Sequence, residues 1–197
     1  MKFLLALLFL FSSQLINAKT IVILGDSLTE GYQLAREEAF PHLVEEKLKK
    51  AGKEVKVINA GSSGATSASG LKRLDWYLKA KPEILILILG ANDGLRGLKP
   101  LDTEKNLSSV IEKAQGQGIT VILGGMQMPT NYGLEYRKEF AAIYPKLASK
   151  YKIKLIPFIL EGVGGKPEMN LPDGIHPNAR GHSIMSETVL KSLEGLL

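Results

Sequence analysis

The chain has 197 residues, 45% of them hydrophobic and 23% charged, with a formal net charge of +5 and no cysteine. A chain of this size buries a full core without staples, so one globular domain is expected and disulfides are not needed. The lack of cysteine also excludes thiolate metal sites and a lipid-modified N-terminal Cys.

Residues 1–18 read as a secretory signal peptide, with Lys2 as the positive start, Phe3–Phe11 as the apolar run and Ser12–Ala18 as a short polar stretch ending in alanine. The apolar run is short for a bilayer span, which disfavours a retained anchor. Ile16 is bulkier than the small residue usual at the third position before a cut. The first strand begins at Thr20, however, so cleavage is expected after Ala18, leaving a domain over 19–197 outside the cytoplasm. Lys47, Lys49, Lys50, Lys53 and Lys56 scatter over a helix and the turn after it, a solvated face and not a nucleic-acid patch. Only a weak, transient attraction to anionic lipid surfaces follows from that charge.

Thr20–Leu24 is a short β-branched run ending in glycine, the mark of a buried strand. Gly25-Asp26-Ser27-Leu28-Thr29-Glu30-Gly31 follows, so Ser27 stands where a central strand of an α/β sheet ends, the edge at which such sheets place ligands. A serine there can meet backbone N–H donors and a base from another loop; equally, Asp26 and Ser27 can simply cap the next helix. Phe40, Leu43, Val44, Lys47, Leu48 and Ala51 recur at helical spacing, and Gly52 closes that helix. Val55–Ile58 is a second strand, followed by the loop Asn59–Thr66. This loop lacks the Gly-Lys-Ser/Thr of a P-loop and the spacing of a dinucleotide fold, so it reads as a loop whose backbone approaches something closely.

Ser67–Ala80 is predicted as a helix with Leu71, Leu74 and Leu78 inward. Glu83–Leu89 is the most apolar segment after the leader and does not alternate, as expected of a strand buried on both faces; it ends in the turn Gly90–Gly94. A helix over Thr103–Gln115 turns Leu107, Val110, Ile111 and Ala114 inward, and Ile119–Leu123 is the next strand. After the loop Gly124–Gly133, Phe140, Ile143, Tyr144, Leu147 and Tyr151 mark a helix over Tyr136–Tyr151, with a kink or break expected near Pro145. Lys154–Phe158 is a fifth strand, Ile159–Pro177 a long loop, and Asn178–Leu197 a final helix. Five alternations with no repeat, linker or low-complexity tract predict one three-layer α/β/α domain on a parallel sheet. Right-handed crossovers favour the flavodoxin-like order 2-1-3-4-5.

Four loops at strand C-terminal ends then hold Ser27, Gly64, Asn92 and the pair Asp173/His176. Alone, each has a dull explanation as a turn or a cap; together they supply a nucleophile, a base, its orienting carboxylate and donors for an oxyanion. Among the histidines, His42 lies in an amphipathic helix and His182 reads as half-exposed in the last helix. Only His176 is in a loop at the predicted active edge, with an aspartate three residues before it to fix the imidazole tautomer.

With Gly25-Asp26-Ser27-Leu28, Gly64, Gly90-Ala91-Asn92-Asp93 and Asp173-Gly174-Ile175-His176 in this order, the chain resembles the SGNH or GDSL hydrolases, the GDSL-like lipases/acylhydrolases. GDSLTEGY, GANDGLRGL, MPTNYG, FAAIYPKLA and LPDGIHPN resemble its secreted bacterial branch of thioesterases, arylesterases and lysophospholipases. The resemblance implies Ser27 as nucleophile, with the Ser27 and Gly64 N–H groups and the Asn92 amide as the oxyanion hole. It implies a mobile flap over Gly94–Leu98, and an acyl groove lined by Met128, Pro129 and Tyr132. Many relatives carry an acidic residue where Ala65 stands and a basic one where Gln127 stands. Leu95, Met128, Pro129 and Tyr132 are accordingly expected to meet across the mouth of the site, unless they pack on one another as a satellite core.

The expectation is therefore a monomeric, periplasmic or extracellular serine esterase acting on small-molecule acyl esters or thioesters, with no metal and no organic cofactor. The alternatives are a carbohydrate or peptidoglycan O-deacetylase on the same scaffold and, from another class, a non-catalytic secreted binding module. The latter would be expected to have lost Ser27, Asn92 or His176. The nucleophile is not in a GxSxG elbow, which disfavours the α/β-hydrolase fold.

Overall fold

The structure, a computed structural model, describes residues 18–197; the leader expected over 1–18 lies, save for Ala18, outside the described residues. Five strands are hydrogen-bonded in one all-parallel sheet: β1 (Lys19–Gly25), β2 (Val55–Ala60), β3 (Ile84–Ile88), β4 (Thr120–Gly124) and β5 (Lys154–Ile156). Their order is β2-β1-β3-β4-β5, the predicted one. Leu24 pairs with Ala60 and Leu87, Gly25 pairs with Ile88, and Leu87 pairs with Leu123. The C-terminal ends of neighbouring strands therefore reach one common edge. Ile21–Leu24 and Leu85–Leu87 are fully buried, which is why these two runs are apolar without alternation.

Among the described residues seven α-helices connect and cover the strands: α1 (Ser27–Glu30), α2 (Phe40–Lys50), α3 (Gly70–Tyr77), α4 (Ala91–Leu95), α5 (Pro100–Gly116), α6 (Leu134–Tyr151) and α7 (Ala179–Leu193). Helices α2 and α7 pack together on one face, while α3, α5 and α6 pack in a row on the other. No helix among the described residues is long and apolar enough to cross a membrane.

Four local expectations are corrected. Helix α6 runs unbroken through Pro145. Pro145 lies on the exposed face, where water can satisfy the carbonyl it leaves free, while buried Phe140, Ile143, Tyr144 and Leu147 anchor the other face. Leu71 is 39% exposed, because Gly70 and not Leu71 is the residue set against Val110 and Leu89. Strand β5 stops at Ile156, before Pro157, which has no N–H to continue a ladder. His182, read as half-exposed, is 1% exposed and accepts the Phe40 N–H at 3.1 Å through Nδ1. Burial pushes its pKa down to about 4, so it sits neutral between α2 and α7.

Candidate active site

Gly25 ends β1 at a crowded point of the chain. A side chain there would collide with Thr29 and with the Ile88 carbonyl, so glycine alone lets the strand turn directly into α1. Asp26 caps that one-turn helix, its Oδ1 accepting the Leu28 N–H at 3.0 Å. The capping and the functional readings of this motif thus coexist: the cap holds Ser27 at the first helical position, with 9% of its surface exposed. Burial pushes the Asp26 carboxyl up to about 6, only partly offset by its hydrogen bond from Leu28. Arg73, reaching from α3, donates to the Gly25 carbonyl at 2.8 Å and to the Ala60 carbonyl, tying the ends of β1 and β2 together.

His176 arrives on the loop between β5 and α7. Its Nε2 is 3.0 Å from Ser27 Oγ and its Nδ1 is 2.7 Å from Asp173 Oδ2. Asp173 Oδ1 accepts the N–H groups of Ile175 and His176, both at 3.0 Å, so one carboxylate shapes the loop and orients the ring. Burial works against the Asp173 charge, but the backbone and ring bonds from His176 and the Ile175 N–H hold its carboxyl below the usual range. The Leu171 N–H donates to the His176 carbonyl at 2.7 Å, and the Tyr32 ring lies 4.3 Å from the imidazole, centre to centre.

Three donors belong to the residues lining the cavity at Ser27. Among the described residues, the N–H groups of Ser27 and Gly64 find no protein acceptor. Asn92 donates one amide hydrogen to the Ala65 carbonyl at 3.0 Å and keeps the other. Ser27, Gly64 and Asn92 line the same cavity. Sequence reasoning missed the residues that hold these donors in place. Asp93, 2% exposed, accepts the Ser67 N–H at 2.8 Å, the Ser67 hydroxyl, and the Thr103 hydroxyl at 3.2 Å. It thereby pins the loop after β2 to the start of α4. Glu30 accepts the Ser63 N–H at 2.6 Å and the Ser63 hydroxyl, fixing the same loop from the other side. Asp93 and Glu30 sit inside the recognised motifs, yet nothing in their spacing marks a partner some thirty residues away.

The cavity encloses about 600 Å³ above Ser27 and His176. Leu95, Met128 and Pro129 line it; Tyr132 does not. The Tyr132 hydroxyl turns to the Leu95 carbonyl at 2.8 Å, so this ring supports the wall from behind. Met128 is only 4% exposed and packs against Gly94, so it belongs to core and cavity at once. Phe158 and Leu160 supply an apolar wall that sequence reasoning did not place.

The model of the GDSL-like Lipase/Acylhydrolase family matches residues 23–184. The chain belongs to the GDSL-like lipase/acylhydrolase family. This acylhydrolase is 40% identical to Esterase TesA of Pseudomonas aeruginosa over 181 residues, covering 91% of this chain and 90% of that protein. It is 39% identical to Thioesterase 1/protease 1/lysophospholipase L1 of Escherichia coli K12, covering 91% and 86%. The psychrotrophic esterase EstA from Pseudoalteromonas sp., solved as inhibited by monoethylphosphonate, superposes with a TM-score of 0.85 at 31% identity, covering 90% and 98% of the two chains.

Proposed function

We propose that this acylhydrolase cleaves carboxylic ester and thioester bonds of acyl substrates through an acyl-enzyme on Ser27. The observation that carries the reading is the unbroken hydrogen-bond chain Ser27–His176–Asp173 beside a cavity that Gly64 and Asn92 also line. His176 Nε2 takes the Ser27 proton as Oγ attacks the acyl carbonyl, and Asp173 steadies the imidazolium that forms. The oxyanion is met by the Ser27 and Gly64 N–H groups and the free amide hydrogen of Asn92, where fixed donors stabilise charge most. His176 then gives its proton to the departing alcohol or thiol. A water molecule, deprotonated by the same ring, attacks the acyl carbon and releases the acid and Ser27.

The substrate side rests on the cavity. About 600 Å³ with apolar walls at Leu95, Met128, Pro129, Phe158 and Leu160 suits an acyl chain longer than acetyl. This favours an acyl esterase over a deacetylase, and the relatives named as esterase and as thioesterase and lysophospholipase support the same reading.

The test is the nucleophile. Ser27→Ala should lower hydrolysis of p-nitrophenyl esters about a thousand-fold or more with an unchanged circular dichroism spectrum. An ethyl phosphonate probe should add its mass to the peptide containing Ser27. Full activity in the alanine variant, or labelling at another serine, would withdraw the assignment.

A further inference from the structure

Asn170 is 8% exposed and lines the catalytic cavity. It also lines a second hollow of about 430 Å³ that shares Gly165, Asn170 and Gly174 with the first, so the two spaces adjoin. Its side chain is fixed in one orientation. Nδ2 donates to the Val163 carbonyl at 2.9 Å and to the Lys166 carbonyl at 2.7 Å, which consumes both amide hydrogens. The flipped amide would set its oxygen against two carbonyl oxygens. Oδ1 is therefore the outward atom, and among the described residues nothing donates to it. An acceptor left without a protein donor on a cavity wall is open to a ligand or to water.

Its place relative to the segment carrying His176 is also defined. Asn170 bridges Pro177 in an antiparallel pair, and the Leu171 N–H beside it donates to the His176 carbonyl. Asn170 thus stands beside the segment that carries the base, and lines the same cavity as His176. The leaving atom of an ester or thioester must take its proton from His176 Nε2, so the leaving group lodges beside that ring.

We propose that Asn170 Oδ1 is a specificity determinant that accepts a hydrogen bond from a donor on the leaving group. This inference rests on the esterase reading given above. The donor chemistry is a hydroxyl or an amide N–H close to the leaving atom. A polyol monoester offers the first, and a thioester of the pantetheine type offers the second. The alternative, an oxygen merely hydrated by cavity water, predicts no discrimination between leaving groups that differ in this donor.

Two substrate pairs with one acyl chain test it on the intact protein. One pair is the 2-hydroxyethyl and 2-methoxyethyl esters; the other is the N-acetylcysteamine thioester and its N-methyl counterpart. Each kcat/KM is divided by the alkaline hydrolysis rate of the same compound. At least one pair should favour the donor-bearing member about five- to ten-fold, and the arm with the larger ratio identifies the source of the donor. In Asn170→Leu that ratio should collapse to near one, whatever the absolute rate. Hydrolysis of all four compounds with ratios near one in the unaltered protein would overturn the inference and leave the esterase reading intact. A ratio that survives Asn170→Leu would also overturn it, by assigning the discrimination to another group. Hydrolysis of none would remove both.

Discussion

Ser27 stands at the end of a central strand with 9% of its surface exposed, whereas Asp173 and Gly174, on the loop that carries its base, are exposed. The nucleophile edge is held by the core: Gly25 wedged under Thr29 and Ile88, Arg73 across two strand ends, Asp93 buried between two loops. The base loop is held by short-range bonds, with Asp173 gripping two N–H groups of its own turn and Met169–Leu171 pairing with His176–Asn178. Damage on the two sides should therefore separate differently. On the base loop, catalysis can be lost with little stability; at the nucleophile edge the two are more closely joined.

The largest expected effect lies on the base loop. Asp173→Asn keeps Oδ1 for the two backbone donors but replaces the Oδ2 acceptor by an amide, which favours the wrong tautomer of His176. kcat should fall about a thousand- to ten-thousand-fold, while the urea midpoint moves little because the loop is solvated. Steady-state kinetics beside a denaturation curve checks both halves. A large loss of stability would show that the loop carries part of the fold.

Next comes the oxyanion side. Asn92→Ala should lower kcat about a hundred- to a thousand-fold with little change in KM, because the missing donor acts on developing charge. It should also loosen the fold slightly, by about 1 kcal/mol, since the Ala65 carbonyl loses its partner. A rise in KM alone would make Asn92 a substrate-positioning residue.

The smallest effect concerns pH and stability, and sets two buried groups against each other. His182 has its pKa pushed from 6.5 to about 4, so between those values the unfolded chain binds a proton that the folded chain refuses. Its contribution is present above pH 6.5 and is lost as pH falls. Asp26, pushed from 3.8 to about 6, acts in the opposite sense. Its folded form binds a proton that the unfolded form has lost, so stability is gained as pH falls through that window. In His182→Asn an amide oxygen can still accept the Phe40 N–H, and only the Asp26 contribution remains. Relative to pH 7.5, the variant should gain about 2 kcal/mol over the parent protein at pH 4.5. Urea titrations at the two pH values measure the difference; parallel pH dependences would mean that His182 titrates freely in the folded protein.

The strand order, the parallel sheet and the common edge bearing Ser27, Asn92 and His176 were legible in the sequence. Apolar runs without alternation can be buried only between two helical layers, and right-handed crossovers leave few ways to order them. The motif loops were legible for the same reason, because each follows a strand and so lands on one edge. What the chain alone could not reveal are contacts between distant polar groups. His182 lies three and seven residues before Met185 and Val189, on one helical face with them. Its polarity nevertheless reads as surface until the Phe40 N–H is seen to meet its ring. Tyr132 sits among groove residues in the sequence, but a single bond to the Leu95 carbonyl turns it behind the wall. Asp93 and Glu30 look like turn residues, and become anchors only through partners from other segments. Hydrophobic periodicity is a local property and fixes which surfaces are buried. Hydrogen-bond pairing between separate loops depends on where the packed layers bring them, and only the tertiary structure decides that.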